Sequence, residues 1–259
     1  MSTSRASKRC GADVKIRVGQ RLRAAAEYVA VSSAYRENGK GIICADVGCD
    51  HGYLSIYLIE KGICDKVYAT DINEKPVAMA MENIKNRDTR GLGLSERIEV
   101  RLCDGLEGLS GLGINRVVIC GMGGEVISGI IDRAHSFHTK EVKFILQPMS
   151  SEAELRAWLS ENGFEIEDET LLRDAGRIYT VMCVSYSGKK YSLSPSELIL
   201  GKHNIEKGGE LLYELCQRKL VHARNLLKQP ECSEADRELH RGLCEILARL
   251  SEDSKKADK

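Results

Sequence analysis

Short apolar runs alternate with amphipathic stretches through the first 160 residues, and almost every run is stopped by a glycine, an acid or a proline. Residues 42–47 form a buried-strand pattern ending at Gly48, and residues 53–60 read as a helix closed by Lys61-Gly62. A second strand is predicted over 66–71, and a helix over 74–86 with Pro76 in its first turn. The third strand, 98–102, runs into Cys103-Asp104-Gly105. The fourth, 116–120, leads into Gly121-Met122-Gly123-Gly124 and a helix through residue 131. A fifth, 144–146, is stopped by Gln147-Pro148 and followed by a helix over 152–161.

Single buried strands alternating with helices predict a parallel sheet covered on both faces. The rhythm then changes. Residues 164–172 and 178–186 are two strands joined by Arg173-Asp174-Ala175-Gly176-Arg177, a hairpin with no helix between them. Five βα units followed by a hairpin match the Rossmann-like class I methyltransferase plan. That plan is a mostly parallel seven-stranded sheet whose last strand inserts antiparallel. A polar segment follows, and from residue 198 the pattern is helical to 229, broken at Gln229-Pro230. A second helix carries Leu239, Leu243, Ile246, Leu247 and Leu250. The pair predicts a helical hairpin appended to the sheet domain.

Composition narrows the class. The chain has 259 residues, 42% hydrophobic and 29% charged, with four prolines, which suits a folded globular protein. No apolar run is long enough to span a bilayer, and the N-terminus lacks the apolar stretch of a secretory signal. The ten cysteines include no CxxC pair, so the expectation is a reduced, cytoplasmic protein without a metal site. Net charge is zero, yet residues 1–40 hold nine Lys/Arg against three acids. A basic arm beside an acidic remainder points to a polyanionic partner, unless it is simply a solvated tail.

The candidate chemistry sits at predicted strand ends. Asp46-Val47-Gly48-Cys49-Asp50-His51-Gly52 joins a strand to a helix, where glycine lets backbone approach a ligand and the helix offers free N–H groups. Asp71, followed by Ile72, is placed to accept ribose hydroxyls, and Asp104-Gly105 to read an adenine amino group. Together these favour S-adenosylmethionine. NAD is the rival, but the first loop lacks the full G-x-G-x-x-G pattern. Asp50 stands where many such loops carry a second glycine, and its alternative role is to cap the following helix. His51 could bond only to backbone. Gly121 to Gly124 gives a backbone-lined floor, or else only a tight turn.

These residues resemble a known family. Arg21-Leu22, Asp46-x-Gly48-x-Asp50-His51, Asp104-Gly105-Leu106, Gly121-Met122-Gly123-Gly124, Leu146-Gln147-Pro148 and Arg177-Ile178-Tyr179 look like the bacterial tRNA (adenine-N1)-methyltransferases of the TrmK type. The resemblance covers about residues 17–250. It implies methylation of adenine 22 of tRNA, cofactor contacts from Arg21, Gly48, His51, Asp71, Asp104, Gly121 and Met122, and a catalytic acid at Asp50. Relatives often carry Glu where this chain has Asp71.

Ile72 and Gly105 complete the expected cofactor set. Gly123, Arg36, Lys40, Arg218 and Lys219 are expected on the tRNA side. The division is a basic extension over 1–16, a methyltransferase domain over 17–187 and a helical appendage over 188–259. The oligomeric state is left open, a monomer being the simplest expectation. A small-molecule methyltransferase, which would need no basic appendage, and a non-catalytic RNA-binding protein remain the alternatives.

Overall fold

The structure is a computed structural model that describes residues 18–30, 41–88 and 91–257, with side chains as far as 253. Helix α1 (Gln20–Ala30) leads to β1 (Ile43–Val47), α2 (Tyr53–Glu60), β2 (Lys66–Asp71), α3 (Glu74–Arg87), the single turn α4 (Leu94–Arg97) and β3 (Ile98–Leu102). Next come β4 (Arg116–Gly123), α5 (Gly124–Arg133), β5 (Lys143–Ser150), α6 (Glu152–Glu161) and the hairpin β6 (Phe164–Asp174) and β7 (Arg177–Tyr186). Four helices end the chain: α7 (Pro195–Leu200), α8 (Lys202–Lys207), α9 (Glu210–Leu226) and α10 (Glu234–Ala257).

The strands form one seven-stranded sheet in the order β3-β2-β1-β4-β5-β7-β6, with β7 antiparallel to both neighbours and the other pairings parallel. Alternate residues face opposite layers, as the pleat requires. Ala45, Val47, Val117 and Ile119 pack with Ile127, Ile131, Leu155 and Leu159 from α5 and α6. Cys44, Val118 and Ile145 pack on the other face with Ala25, Val29, Leu54, Leu58 and Ala80 from α1, α2 and α3. The chain winds outward from β1 to β3, then returns to lay β4 on β1's other side. This reversal leaves a crevice at the carboxyl ends of β1 and β4.

Four expectations are corrected. β5 does not stop at Gln147-Pro148. Its ladder to β7 ends at Leu146, so Pro148 needs no partner there, and it sits opposite Met122 where β4 shifts register. β4 likewise runs through Gly123 as an irregular strand rather than ending in a loop. The hairpin turn is two residues, not five: Ala175 and Gly176 both take left-handed φ, at 46° and 77°, and Asp174 pairs with Arg177.

The fourth correction concerns the predicted helix over 198–229, which is three helices. Gly201 and Gly208-Gly209 interrupt it with positive φ. The helical hairpin itself is present, α9 and α10 meeting through Leu212, Cys216, Leu220, Leu243 and Leu250.

The appendage is tied to the sheet by charge as well as by apolar contact. Arg156 of α6 donates from Nε and Nη2 to Glu169 Oε2 of β6 at 3.0 and 2.9 Å, both side chains being 1% exposed. Its Nη1 reaches the carbonyl of Leu198 in α7 at 2.7 Å. No helix among the described residues is long and apolar enough to cross a membrane.

Candidate active site

The turn after β1 is built by backbone bonds that leave side chains free. The N–H groups of Gly48 and Cys49 both donate to the carbonyl of Thr70, at 2.8 and 2.9 Å. Gly48 takes φ 72°, a left-handed conformation that favours glycine, and a Cβ there would stand 2.2 Å from Met122 Cε and displace that side chain. Asp50 is left-handed as well, at φ 49°, a conformation that Asp tolerates better than most residues. Its N–H donates to Asp71 Oδ2 at 3.4 Å. Its carboxylate is 70% exposed, 3.4 Å from His51 Nε2. The N-cap of α2 is Gly52, with no side-chain hydrogen bond, so Asp50 does not cap the helix. The His51 ring stacks on half-exposed Tyr53 at 5.3 Å between centroids, while its Nδ1 is buried and unbonded.

This turn forms one wall of a pocket of about 360 Å³ at the β1–β4 crevice. Gly48, Asp50, His51, Gly121, Gln147 and Arg21 all line it. A Cβ on Gly121 would meet no atom within 4 Å, so this backbone faces open space. Arg21 hangs over the pocket from α1, its Nη1 3.4 Å from Gln147 Oε1. Beneath lies Asp46, buried and accepting from Ser55 Oγ at 2.6 Å. Burial, with Asp71 nearby, pushes its carboxyl up to about 6. Burial also raises the thiols of Cys49 and Cys120, which therefore stay neutral.

The other expected residues lie along the same edge. Strands β3, β2, β1 and β4 present Asp104, Asp71, the Gly48 turn and Gly121 in a row roughly 15 Å long, at the usual inter-strand spacing. Asp71 holds the N–H of Asn73 at 3.0 Å on Oδ1, and Ile72 beside it is 64% exposed. Asp104 accepts both oxygens' bonds from Arg133 Nη2, at 3.1 and 3.0 Å. With Gly105 it borders a separate depression of about 200 Å³.

The structure does not bring Gly123 into the pocket lining. It backs onto Ser150 Oγ, and a Cβ on Gly124 would sit 2.3 Å from the Ser151 carbonyl, so Gly123 serves the packing of β4 on β5 and Gly124 that of the start of α5 against the start of α6. Arg218 and Lys219 are on α9, where Glu214 pairs with both Arg218 and Arg173 of β6. Arg36 and Lys40 lie outside the described residues, as does the basic arm over 1–16.

Several pocket residues, Asp46, Gln147 and Tyr53 among them, were not named as site residues in the sequence reading. Asp46 and Gln147 were visible only as parts of motifs, and Tyr53 only as a helix start. Their common signal is position, each lying within three residues of a strand end or glycine turn at the crevice.

The seven-stranded order, the antiparallel β7 and a glycine-walled pocket at the switch point define a class I S-adenosylmethionine-dependent methyltransferase. The glycine cradle, the strand-end acids and the arginine at the mouth suit an adenosine with an amino-acid tail. Residues 44–251 match the family model described as TrmK, tRNA (adenine(22)-N(1))-methyltransferase, and the chain belongs to that family.

The tRNA (adenine(22)-N(1))-methyltransferase of Bacillus subtilis is 28% identical over 222 residues, covering 83% of this chain and 86% of that protein. The Streptococcus pneumoniae protein Sp1610, solved in complex with S-adenosyl-L-methionine, aligns at a TM-score of 0.73 with 28% identity, over 89% of this chain and 100% of that one. The crystal structure of Bacillus subtilis TrmK, 24% identical, shares the fold at a TM-score of 0.70 over 92% and 99% of the two chains.

Proposed function

We propose that the protein methylates N1 of the adenine at position 22 of tRNA, using S-adenosyl-L-methionine and giving N1-methyladenosine. The observation that carries this reading is Asp50: an exposed carboxylate, held by a left-handed turn over a backbone-lined pocket, with no structural bond from its side chain to a helix end. When bound, S-adenosyl-L-methionine supplies an electrophilic methyl group on a sulfonium. Arg21, Gly48, His51, Gly121 and Met122 surround its methionine end in this reading. Asp71, Ile72, Asp104 and Gly105 take the ribose and adenine. A carboxylate has about four lone-pair sites, so Asp71 retains acceptor capacity beyond its bonds to Asp50 and Asn73.

Adenine N1 already carries a lone pair, so no proton must leave the attacking atom. Alignment and electrostatics then do most of the catalysis. Asp50 accepts from the exocyclic amino group, orients the Watson–Crick edge and opposes the charge that develops on the methylated ring. Because that edge is masked in folded tRNA, the base has to turn outward to reach the pocket. Arg36, Lys40, Arg218 and Lys219 take phosphates, and the division into a catalytic domain over 17–187 and an RNA-docking appendage over 188–259 follows. Acting on tRNA makes the cytoplasm the place of work. Unmodified tRNA incubated with labelled S-adenosylmethionine should yield one N1-methyladenosine, lost when adenine 22 is replaced by guanine. Methylation elsewhere, or of small molecules only and independently of salt, would overturn the reading.

A further inference from the structure

We propose that Asp174 is a positioning residue that aims Arg21 at the cofactor's carboxylate, so that the tip of the β6–β7 hairpin is part of the binding machinery. This rests on the reading of Arg21 as a cofactor residue. An arginine in the first turn of a surface helix ordinarily samples many rotamers, and ordering it costs free energy at every binding event. Arg21 is instead fixed from three strands. Its Nε donates to Asp174 Oδ2 at 2.9 Å at the end of β6. Its guanidinium carbon lies 5.1 Å from the centroid of the Tyr179 ring in β7. Its Nη1 meets Gln147 Oε1 at 3.4 Å and Met149 Sδ at 3.0 Å in β5. Gln147 is in turn locked, fully buried with Nε2 on the Pro148 carbonyl at 2.6 Å.

Asp174 sets the direction of this group. The Nε bond fixes the plane of the fork, with Nη1 toward Gln147 at the pocket. The aspartate's own position is dictated by the two-residue turn that follows it, where Ala175 accepts a left-handed φ of 46° that costs a non-glycine residue strain. On the other side Arg173 pairs with Glu214 of α9. The competing account is that Asp174 only stabilises the start of α1, since Gly19 lies against it with a Cβ position 3.8 Å from Oδ2. The two accounts differ in what a folded variant does.

The experiment is a double-mutant cycle on the full chain, read by calorimetric affinity for S-adenosylmethionine and by thermal melting. Asp174→Ala should weaken cofactor binding by roughly fivefold to tenfold, the scale of one re-ordered arginine. Asp174→Asn, which keeps an acceptor for Nε, should recover part of that loss. In an Arg21→Ala background, Asp174→Ala should change cofactor affinity no further. If Asp174→Ala does not fold, the same cycle with Asp174→Asn carries the test. Wild-type cofactor affinity in a folded Asp174 variant overturns the proposal. So does an equal loss with and without Arg21, or a change confined to tRNA affinity. A wild-type protein that binds cofactor yet leaves adenine 22 unmethylated would sink the functional reading instead, leaving this cycle intact.

Discussion

Replacing Asp50 by Asn removes a charge and little else. Asn accepts the left-handed conformation about as readily as Asp, so the turn with φ 49° should survive. The Asp50 side chain makes no cap bond and is 70% exposed, so stability should move by no more than about 0.5 kcal/mol. The catalytic effect follows from the charge it would oppose. A unit charge about 4 Å from the developing cation is worth about 1 kcal/mol in bulk water and about 4 kcal/mol at an effective dielectric near 20. At 1.36 kcal/mol per factor of ten, this brackets a loss of about fivefold to nearly a thousandfold. The free site is open, but docked RNA would exclude much of its water, so a fall of at least about tenfold in single-turnover rate is expected. Cofactor affinity should change little. The assay is single-turnover methylation of unmodified tRNA at saturating cofactor, beside calorimetry and a thermal melt. Wild-type turnover in Asp50→Asn would refute the electrostatic role and leave positioning over the glycine floor as the sole catalytic device.

The buried carboxyl of Asp46, raised to about 6, holds its proton more tightly in the folded protein than in the unfolded chain. The folded state is therefore favoured at low pH, and this contribution is lost as pH rises from about 4 through 6, amounting to about 3 kcal/mol above that window. Asp46→Asn should flatten the dependence, seen as a melting-temperature difference from wild type that changes between those pH values and is constant above them; a constant difference throughout would disprove the linkage.

Replacing Arg218 and Lys219 together with Ala should weaken tRNA binding and make its log–log salt slope shallower by about 1.5, with cofactor affinity unchanged; an unaltered slope would remove α9 from the RNA surface. Arg156→Met strands the Glu169 charge in the interior, at about 3 to 5 kcal/mol, and should lower the melting temperature by about 6 to 10 °C. Adding Glu169→Leu should recover much of this, and failure to do so would mean that packing, not charge, holds the joint.

The sheet was legible because each of its first five strands is one apolar run with a punctuating residue after it, and because a hairpin breaks the alternation where β6 and β7 stand. The Gly48–Asp50–His51 turn and Gly121 were legible for the same reason, since their neighbours announce strand ends. Periodicity failed over 198–229. It reports which face of a helix is apolar, and the faces of α7, α8 and α9 run on in register closely enough to read as one. What breaks them is tertiary: Gly201 must pass against Glu169, 32 residues earlier in the chain. The clamp on Arg21 was equally hidden, since Asp174 is 153 positions away and its role depends on how a two-residue turn ends β6. Arg156 and Glu169 look like ordinary surface charges in their local patterns and become interior only when α7 closes over them.

The contact between Gly201 and Glu169 also governs how this chain can be taken apart. A Cβ at 201 would lie 2.2 Å from Glu169 Oε1, so the fit depends on the absence of an atom on one side and a paired carboxylate on the other. Transplanting the C-terminal helices onto a related catalytic domain therefore requires three positions to travel together: Arg156, Glu169 and Gly201. A fragment cut at 187 would remove the Leu198 carbonyl and open the Arg156 guanidinium and Glu169 to water at once, whereas one cut after Lys207 keeps that lid in place. For chimeras and minimal versions of this enzyme, the serviceable seam is the Gly208-Gly209 break rather than the polar stretch where the sheet ends.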